Sequence, residues 1–165
     1  MDSYEIAVRR IRENLAPADF VGPRSEELVK SAEAALGLTF SPTYRRFLLE
    51  FGAGAFGSQE IYGVLGDNFR SSGVPDGIWF TLLEREQAGL PRHLVIVYDM
   101  GDGEWLCLNR SIKDSSDESP ITAFQPGFSA EAQSNEVVSE NFGSFLLMLT
   151  NWELHPQHSP DMNLG

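Results

Sequence analysis

The sequence predicts a single domain of the α+β class, and three observations carry that prediction. Apolar residues recur at helical spacing through residues 1–51, two β-branched apolar runs between residues 94 and 109 flank a glycine-containing turn, and a further helical stripe closes the chain. With 165 residues, 42% hydrophobic and 11% aromatic, the chain can bury a sizeable core without metals or disulfides.

Taken in order, Tyr4, Val8, Ile11 and Leu15 form one stripe behind an acidic first turn of Asp2 and Glu5, and Pro17 stops the run. Ser25 is placed to cap a second helix, with Glu26 and Glu27 at its positive end. Leu28, Ala32, Ala35 and Leu36 are its expected inward face, and Gly37 its stop. A third helix starts at Ser41-Pro42, a capping hydroxyl followed by proline at the first helical position. Tyr44, Phe47, Leu48 and Phe51 then fall at i, i+3, i+4 and i+7, with Arg45, Arg46 and Glu50 on the other side.

The exit from that helix, Phe51 to Gly57, reads FGAGAFG and contains the G-x-G-x-x-G spacing of a dinucleotide-binding loop. A dinucleotide loop follows a strand and opens a helix, so that free N–H groups face the pyrophosphate. Here the glycines close a helix, whose end carries the wrong partial charge for a phosphate. The downstream acid, Asp76, sits between Pro75 and Gly77 and reads as a turn. The pattern is therefore punctuation: Gly52 takes a left-handed conformation, and Gly54 and Gly57 turn the chain into a strand.

The second half changes character. Residues 60–65 read as a strand, residues 66–77 as a loop with three glycines, and Trp79 to Gln87 as a short helix before Gly89. Leu94 to Tyr98 and Glu104 to Asn109, joined through Asp99-Met100-Gly101-Asp102-Gly103, make a β-hairpin. Pro120 to Phe124 is another strand after a polar connection. Phe142, Phe145, Leu146, Leu149 and Trp152 form the closing helix, with Ser139 or Asn141 as its cap. No internal repeat interrupts this order. The expected organisation is one domain over residues 1–154 and a tail over 155–165.

Charge and composition narrow the function. The net charge is −12. Residues 1–50 hold seven Lys/Arg against eight Asp/Glu, and residues 51–165 hold five against sixteen, so the later part carries −11. Such a field repels a phosphate backbone, which disfavours direct nucleic-acid binding, and speeds the approach of a basic protein. The single cysteine, Cys107, lies between Leu106 and Leu108 without a nearby histidine and reads as a buried thiol rather than a nucleophile. Neither a signal peptide nor a membrane-spanning run is expected, which points to the cytoplasm. Asn109-Arg110-Ser111 fits a glycosylation sequon that a cytoplasmic protein would not use. Asp99, Asp102 and Glu104 cluster at the hairpin without completing a calcium-loop pattern. His155 and His158 lie in the expected tail and offer a weak metal pair, and His93 gives no signal.

Together these pieces resemble the SMI1/KNR4 family of the SUKH superfamily over residues 25–150. The resemblance rests on Glu33 and Leu36-Gly37 before the Ser41-Pro42-Thr43-Tyr44-Arg45-Arg46-Phe47-Leu48 helix, the Phe51-Gly52-Ala53-Gly54 exit and the Gly63 strand. It continues in the run from Gly101 to Asn109, in Pro120-Ile121, and in the closing Phe142-Gly143-Ser144-Phe145-Leu146. The family usually opens its helix with Leu-Pro-x-x-Tyr, whereas Phe40-Ser41-Pro42-Thr43-Tyr44 places the proline one position late. The resemblance implies an α+β domain with a largely antiparallel β-sheet flanked by α-helices and no catalytic site, and the residues themselves point to no cofactor or metal. It implies an immunity protein that binds a cognate toxin domain, or alternatively a regulatory protein-interaction module.

For a toxin partner that is basic, a nuclease among them, the expected contact residues are acids on loops together with nearby aromatics. Asp67, Phe69 and Trp79 form one group, Asp99, Asp102 and Glu104 the hairpin group, and Asp114, Asp117 and Glu118 the group in the following connection.

Overall fold

The computed structural model describes residues 1–156, so His158 and the rest of the expected tail from 157 onward lie outside the described residues. Among the described residues there are five α-helices and two antiparallel sheets, an α+β arrangement. Helix α1 spans Ser3–Glu13, started by the Asp2 carboxylate, which accepts the Glu5 N–H at 2.8 Å. It ends earlier than its apolar stripe suggests. The Asn14 side chain donates to the Arg10 carbonyl and its own N–H to the Ile11 carbonyl, so Leu15 lies past the helix and is 68% exposed.

Helix α2 covers Glu26–Leu36, with the Ser25 hydroxyl accepting the Leu28 N–H and Gly37 left-handed at φ +72°. Its inward face is Val29, Ala32, Glu33 and Leu36, and Ala35, expected inside, is exposed. The buried Glu33 is compensated twice: its carboxylate accepts the Phe40 N–H at 2.7 Å and pairs with Arg45. Helix α3, Pro42–Glu50, begins where the Ser-Pro pair predicts, but the Ser41 hydroxyl makes no capping bond. The Glu118 carboxylate, far along the chain, accepts both the Thr43 N–H (3.0 Å) and the Thr43 hydroxyl (2.8 Å) instead. Glu118 thereby takes the place of the Ser41 hydroxyl as the cap of α3.

Beyond α3 the chain forms a three-stranded sheet: β1 (Ala18–Phe20), β2 (Gly54–Phe56) and β3 (Gln59–Ile61), in that order. The strand expected over 60–65 therefore starts earlier and stops at Ile61. The reason is the tight β2–β3 turn at Gly57-Ser58, after which Tyr62 donates to the Val97 carbonyl and Gly63 forms a parallel bridge to Asp76. The helix α4, Gly77–Gln87, starts two residues before the expected Trp79, because Asp76 accepts the N–H groups of both Ile78 and Trp79 at 3.0 Å. Asp76 is thus an N-cap rather than a mere turn residue.

The second sheet is a meander of β4 (Leu94–Asp99), β5 (Trp105–Asn109), β6 (Ile121–Phe124) and β7 (Val137–Ser139). Its register pairs Leu94 with Asn109, Asp99 with Trp105, and Trp105 with Phe124. Glu104, read as the first residue of the second hairpin strand, belongs to the turn. Helix α5, Phe142–Leu154, is capped by Asn141, whose side chain accepts the Ser144 N–H at 2.8 Å.

One face of the four-stranded sheet carries Val95, Leu106, Leu108, Ile121 and Ala123 into the main core. There they meet Tyr4 and Ile11 of α1, Tyr44, Phe47 and Leu48 of α3, and Phe142, Phe145, Leu146 and Leu149 of α5, all buried. Phe51, the last residue of the α3 stripe, is half-buried against them. The other face carries Leu94, Ile96, Trp105, Cys107 and Phe124 into a smaller cluster covered by Phe80 of α4 and by Ala88, the residue that follows it.

Gly52 and Gly63 meet at the junction. Gly52 has φ +76°, and a Cβ there would lie 2.5 Å from the Gly22 carbonyl oxygen. A Cβ on Gly63 would collide with the Gly52 carbonyl oxygen. The G-x-G-x-x-G run is thus a crossing of backbone strands packed on one another, with no space for a phosphate.

Candidate functional site

The nine residues expected to contact a partner fall into three separate places, set by the meander. The hairpin turn at 99–104 and the β5–β6 connection at 110–120 leave opposite ends of β5. Five strand residues at about 3.4 Å each separate them by roughly 17 Å. The two acid groups, which look alike in sequence, therefore stand at opposite ends of the sheet.

At the hairpin end, the acids shape the turn that displays them. Asp99 accepts the Gly101 N–H at 2.8 Å and Asp102 accepts the Glu104 N–H at 3.0 Å. Glu104 accepts from the Gln125 side chain at 2.8 Å, tying the hairpin to the β6–β7 connection. That connection adds Glu131 and Glu136, both exposed, and Phe128, which is 59% exposed. Asp99 and Asp102 are themselves exposed.

At the opposite end the acids serve the fold. Asp114 accepts the N–H groups of Ser116 and Glu118, which closes the loop. Asp117 holds a left-handed backbone at φ +62° and pairs with the buried Arg110 at 3.0 Å. Arg110 also donates to the Thr39 and Asp117 carbonyls and to the Ser119 hydroxyl. Glu118 is turned inward as the cap of α3. Burial raises its pKa, and the two Thr43 bonds offset only part of that rise. Glu118 is thus buried as the cap of α3, whereas Asp117 holds Arg110 with its own side chain still 54% exposed.

Asp67, Phe69 and Trp79 come together in a groove of about 470 Å³ between the 67–70 loop and α4. Leu82 and Leu83 continue its apolar floor, and Ala35 of α2 lines the far wall. Arg70 and Glu86 join Asp67 at the rim. Each wall is held by a buried or half-buried bond. Arg24 donates to the Leu65 carbonyl at 2.7 Å at the root of the loop, and Asn68 accepts the Ser71 N–H within it. Arg85 donates to the carbonyls of Leu36 and Arg92, both at 2.9 Å, which fixes α4 against the end of α2. Burial, then the nearby Arg92 charge, lowers the Arg85 pKa. Leu82, Leu83 and Glu86 were not singled out from the sequence. Their spacing from Trp79 at i+3, i+4 and i+7 is the signal that would have found them.

The groups with reactive potential are occupied elsewhere. Cys107 is fully buried in the smaller cluster, and burial alone drives its pKa up, which suppresses the thiolate. Among the described residues no three of His, Cys, Asp and Glu converge as a metal-holding group. No helix among them is long and apolar enough to cross a membrane.

Comparison with known proteins gives a match to the family described as SMI1-KNR4 cell-wall (SUKH_6) over residues 26–146, which spans α2 through the start of α5. No curated relative matches the chain.

Proposed function

The chain belongs to the SMI1-KNR4 (SUKH) family, and from that membership we propose that it is an immunity protein that binds and neutralises a cognate toxin domain. The proposed unit is a single non-catalytic domain over residues 1–154 acting in the cytoplasm. The family match is the observation that carries the reading. The chemistry of the chain supports it: buried Cys107 is disarmed, and −11 of the −12 net charge lies in residues 51–165, where it would steer a basic protein. A nuclease fits this charge well, since its phosphate-binding cleft is basic and loop carboxylates can take the place of phosphates.

The hairpin acids are the proposed steering group, because Asp99 and Asp102 are exposed and stand on a rigid sheet. Co-expression with a cognate toxin domain, scored for survival, tests the reading. Survival with the immunity protein and death without it is the expected result. Death in both cases, with both proteins folded, overturns it. Converting Asp99, Asp102 and Glu104 to Asn, Asn and Gln should slow association and flatten its salt dependence while the thermal midpoint holds. An unchanged rate and salt slope would remove the hairpin from the interface.

A further inference from the structure

The helix α4 is apolar on more of its circumference than its own packing needs. Ile78 and Thr81 are buried beneath it, yet Trp79, Leu82 and Leu83 form a second, half-buried apolar face opening into the 470 Å³ groove. This volume suits one or two inserted side chains, within the range of about 300–1,000 Å³ typical of ligand pockets. Its walls are set in advance by Arg24, Arg85 and the Asp76 cap, so a guest need not order them first. Trp79 supplies the kind of broad, half-exposed aromatic surface on which binding energy concentrates.

The rim gives the charge of the guest. Asp67 and Glu86 are exposed carboxylates flanking the apolar floor, against the single cation Arg70, and the residues beyond 50 carry −11 overall. We propose that this groove is the anchoring site of the protein partner: it receives one or two aliphatic side chains of an extended segment whose flanking Lys or Arg residues meet Asp67 and Glu86. This builds on the immunity reading by giving the toxin domain its point of attachment. The two acid-bearing regions then differ in role, the hairpin steering the approach and the groove holding the bound state.

The experiment uses a defined probe, so that it stands apart from toxin neutralisation. A peptide of two leucines flanked on each side by two lysines is titrated into the isotope-labelled full chain. Two controls accompany it: the same peptide with glycines in place of the leucines, and one with glutamates in place of the lysines. The expected result is amide shifts confined to residues 67–70 and 79–86, seen only when leucine and lysine are both present and weakened by salt. Glu86→Lys and Asp67→Lys, both at exposed positions outside the core, should each weaken the leucine–lysine peptide by at least roughly tenfold. Leu83→Gln should do the same through the floor. No binding, equal binding of the glycine peptide, or shifts centred on the 99–104 hairpin would overturn the proposal. So would self-association through the groove, seen as a dimer that Glu86→Lys and Leu83→Gln convert to monomer. Full toxin protection by all three variants would remove the groove from the interface while leaving the immunity reading intact. Peptide binding in the groove without toxin protection would do the reverse.

Discussion

Gly52 and Gly37 provide a controlled measurement of how closely backbone segments approach one another at the junction after α3. Both are left-handed, at φ +76° and +72°, and so each Gly→Ala change carries about the same conformational strain, on the order of 1–2 kcal/mol. Their surroundings differ completely. Nothing lies within 4 Å of a Cβ on Gly37, whereas a Cβ on Gly52 would stand 2.5 Å from the Gly22 carbonyl oxygen and 2.7 Å from Val21 Cγ2. Carbon contacts settle at about 3.5–4.0 Å, so close to an ångström of movement is needed. The opposing segment is not at liberty to supply it, because Val21 and Gly22 donate to the carbonyls of Ala53 and Phe51 at 2.9 and 3.0 Å. Overpacking of this kind adds about 1–3 kcal/mol. Gly52→Ala should thus cost about 2–5 kcal/mol and Gly37→Ala about 1–2 kcal/mol. At roughly 2–4 °C per kcal/mol for a domain of this size, the two melting points should separate by about 2–12 °C. Thermal melts followed by circular dichroism measure both. Equal losses in the two variants would refute the close approach of Gly52 to the 21–24 segment.

Phe47, fully buried between Phe20, Tyr44 and Phe142, should cost about 3–5 kcal/mol as Phe47→Ala in a denaturant titration, with loss of toxin protection through misfolding. An unshifted midpoint would mean that it is not core. Glu118→Ala removes both bonds to Thr43 and should destabilise by about 1–3 kcal/mol, with Glu118→Gln milder because it can still bond Thr43. The raised pKa of Glu118 also sets a pH slope. The folded state holds this proton more tightly than the unfolded one, so its contribution falls as pH rises from the ordinary carboxylate range through the folded pKa. Glu118→Gln should therefore gain on the wild type as pH rises from about 4 to 7, as read by paired denaturant melts. A constant difference would contradict the assigned direction. Cys107 should resist a thiol reagent at mildly alkaline pH in the folded protein and react fully in denaturant. Fast labelling of the native state would show that the smaller cluster opens.

The helices and the main hairpin are legible in the chain, because the physics that sets them is local. Caps act within one turn, as Ser25, Asn141 and the left-handed Gly37 do, and the stripe Tyr44, Phe47, Leu48 is read from a period that the backbone imposes. The sequence also carried the family resemblance, since the same short apolar and glycine motifs recur in fixed order. Strands β1, β2 and β7 were not legible: at three residues each they are too short to show an alternation, and they exist only because partners distant in the chain complete their hydrogen bonds. The cap of α3 illustrates the same limit, for Ser41 stands in the right place but Glu118 arrives from another loop and does the capping. Tertiary structure alone decided which acids remain outside. Asp99 and Glu118 are alike in sequence, but an antiparallel strand carries them to opposite ends of a sheet, where one meets water and the other a helix N-terminus. The groove that gathers Asp67, Trp79 and Glu86 has the same origin. Its walls come from α2, a loop and α4, and their meeting depends on long-range bonds such as that from Arg85 to the Leu36 carbonyl, which no local pattern in the chain encodes.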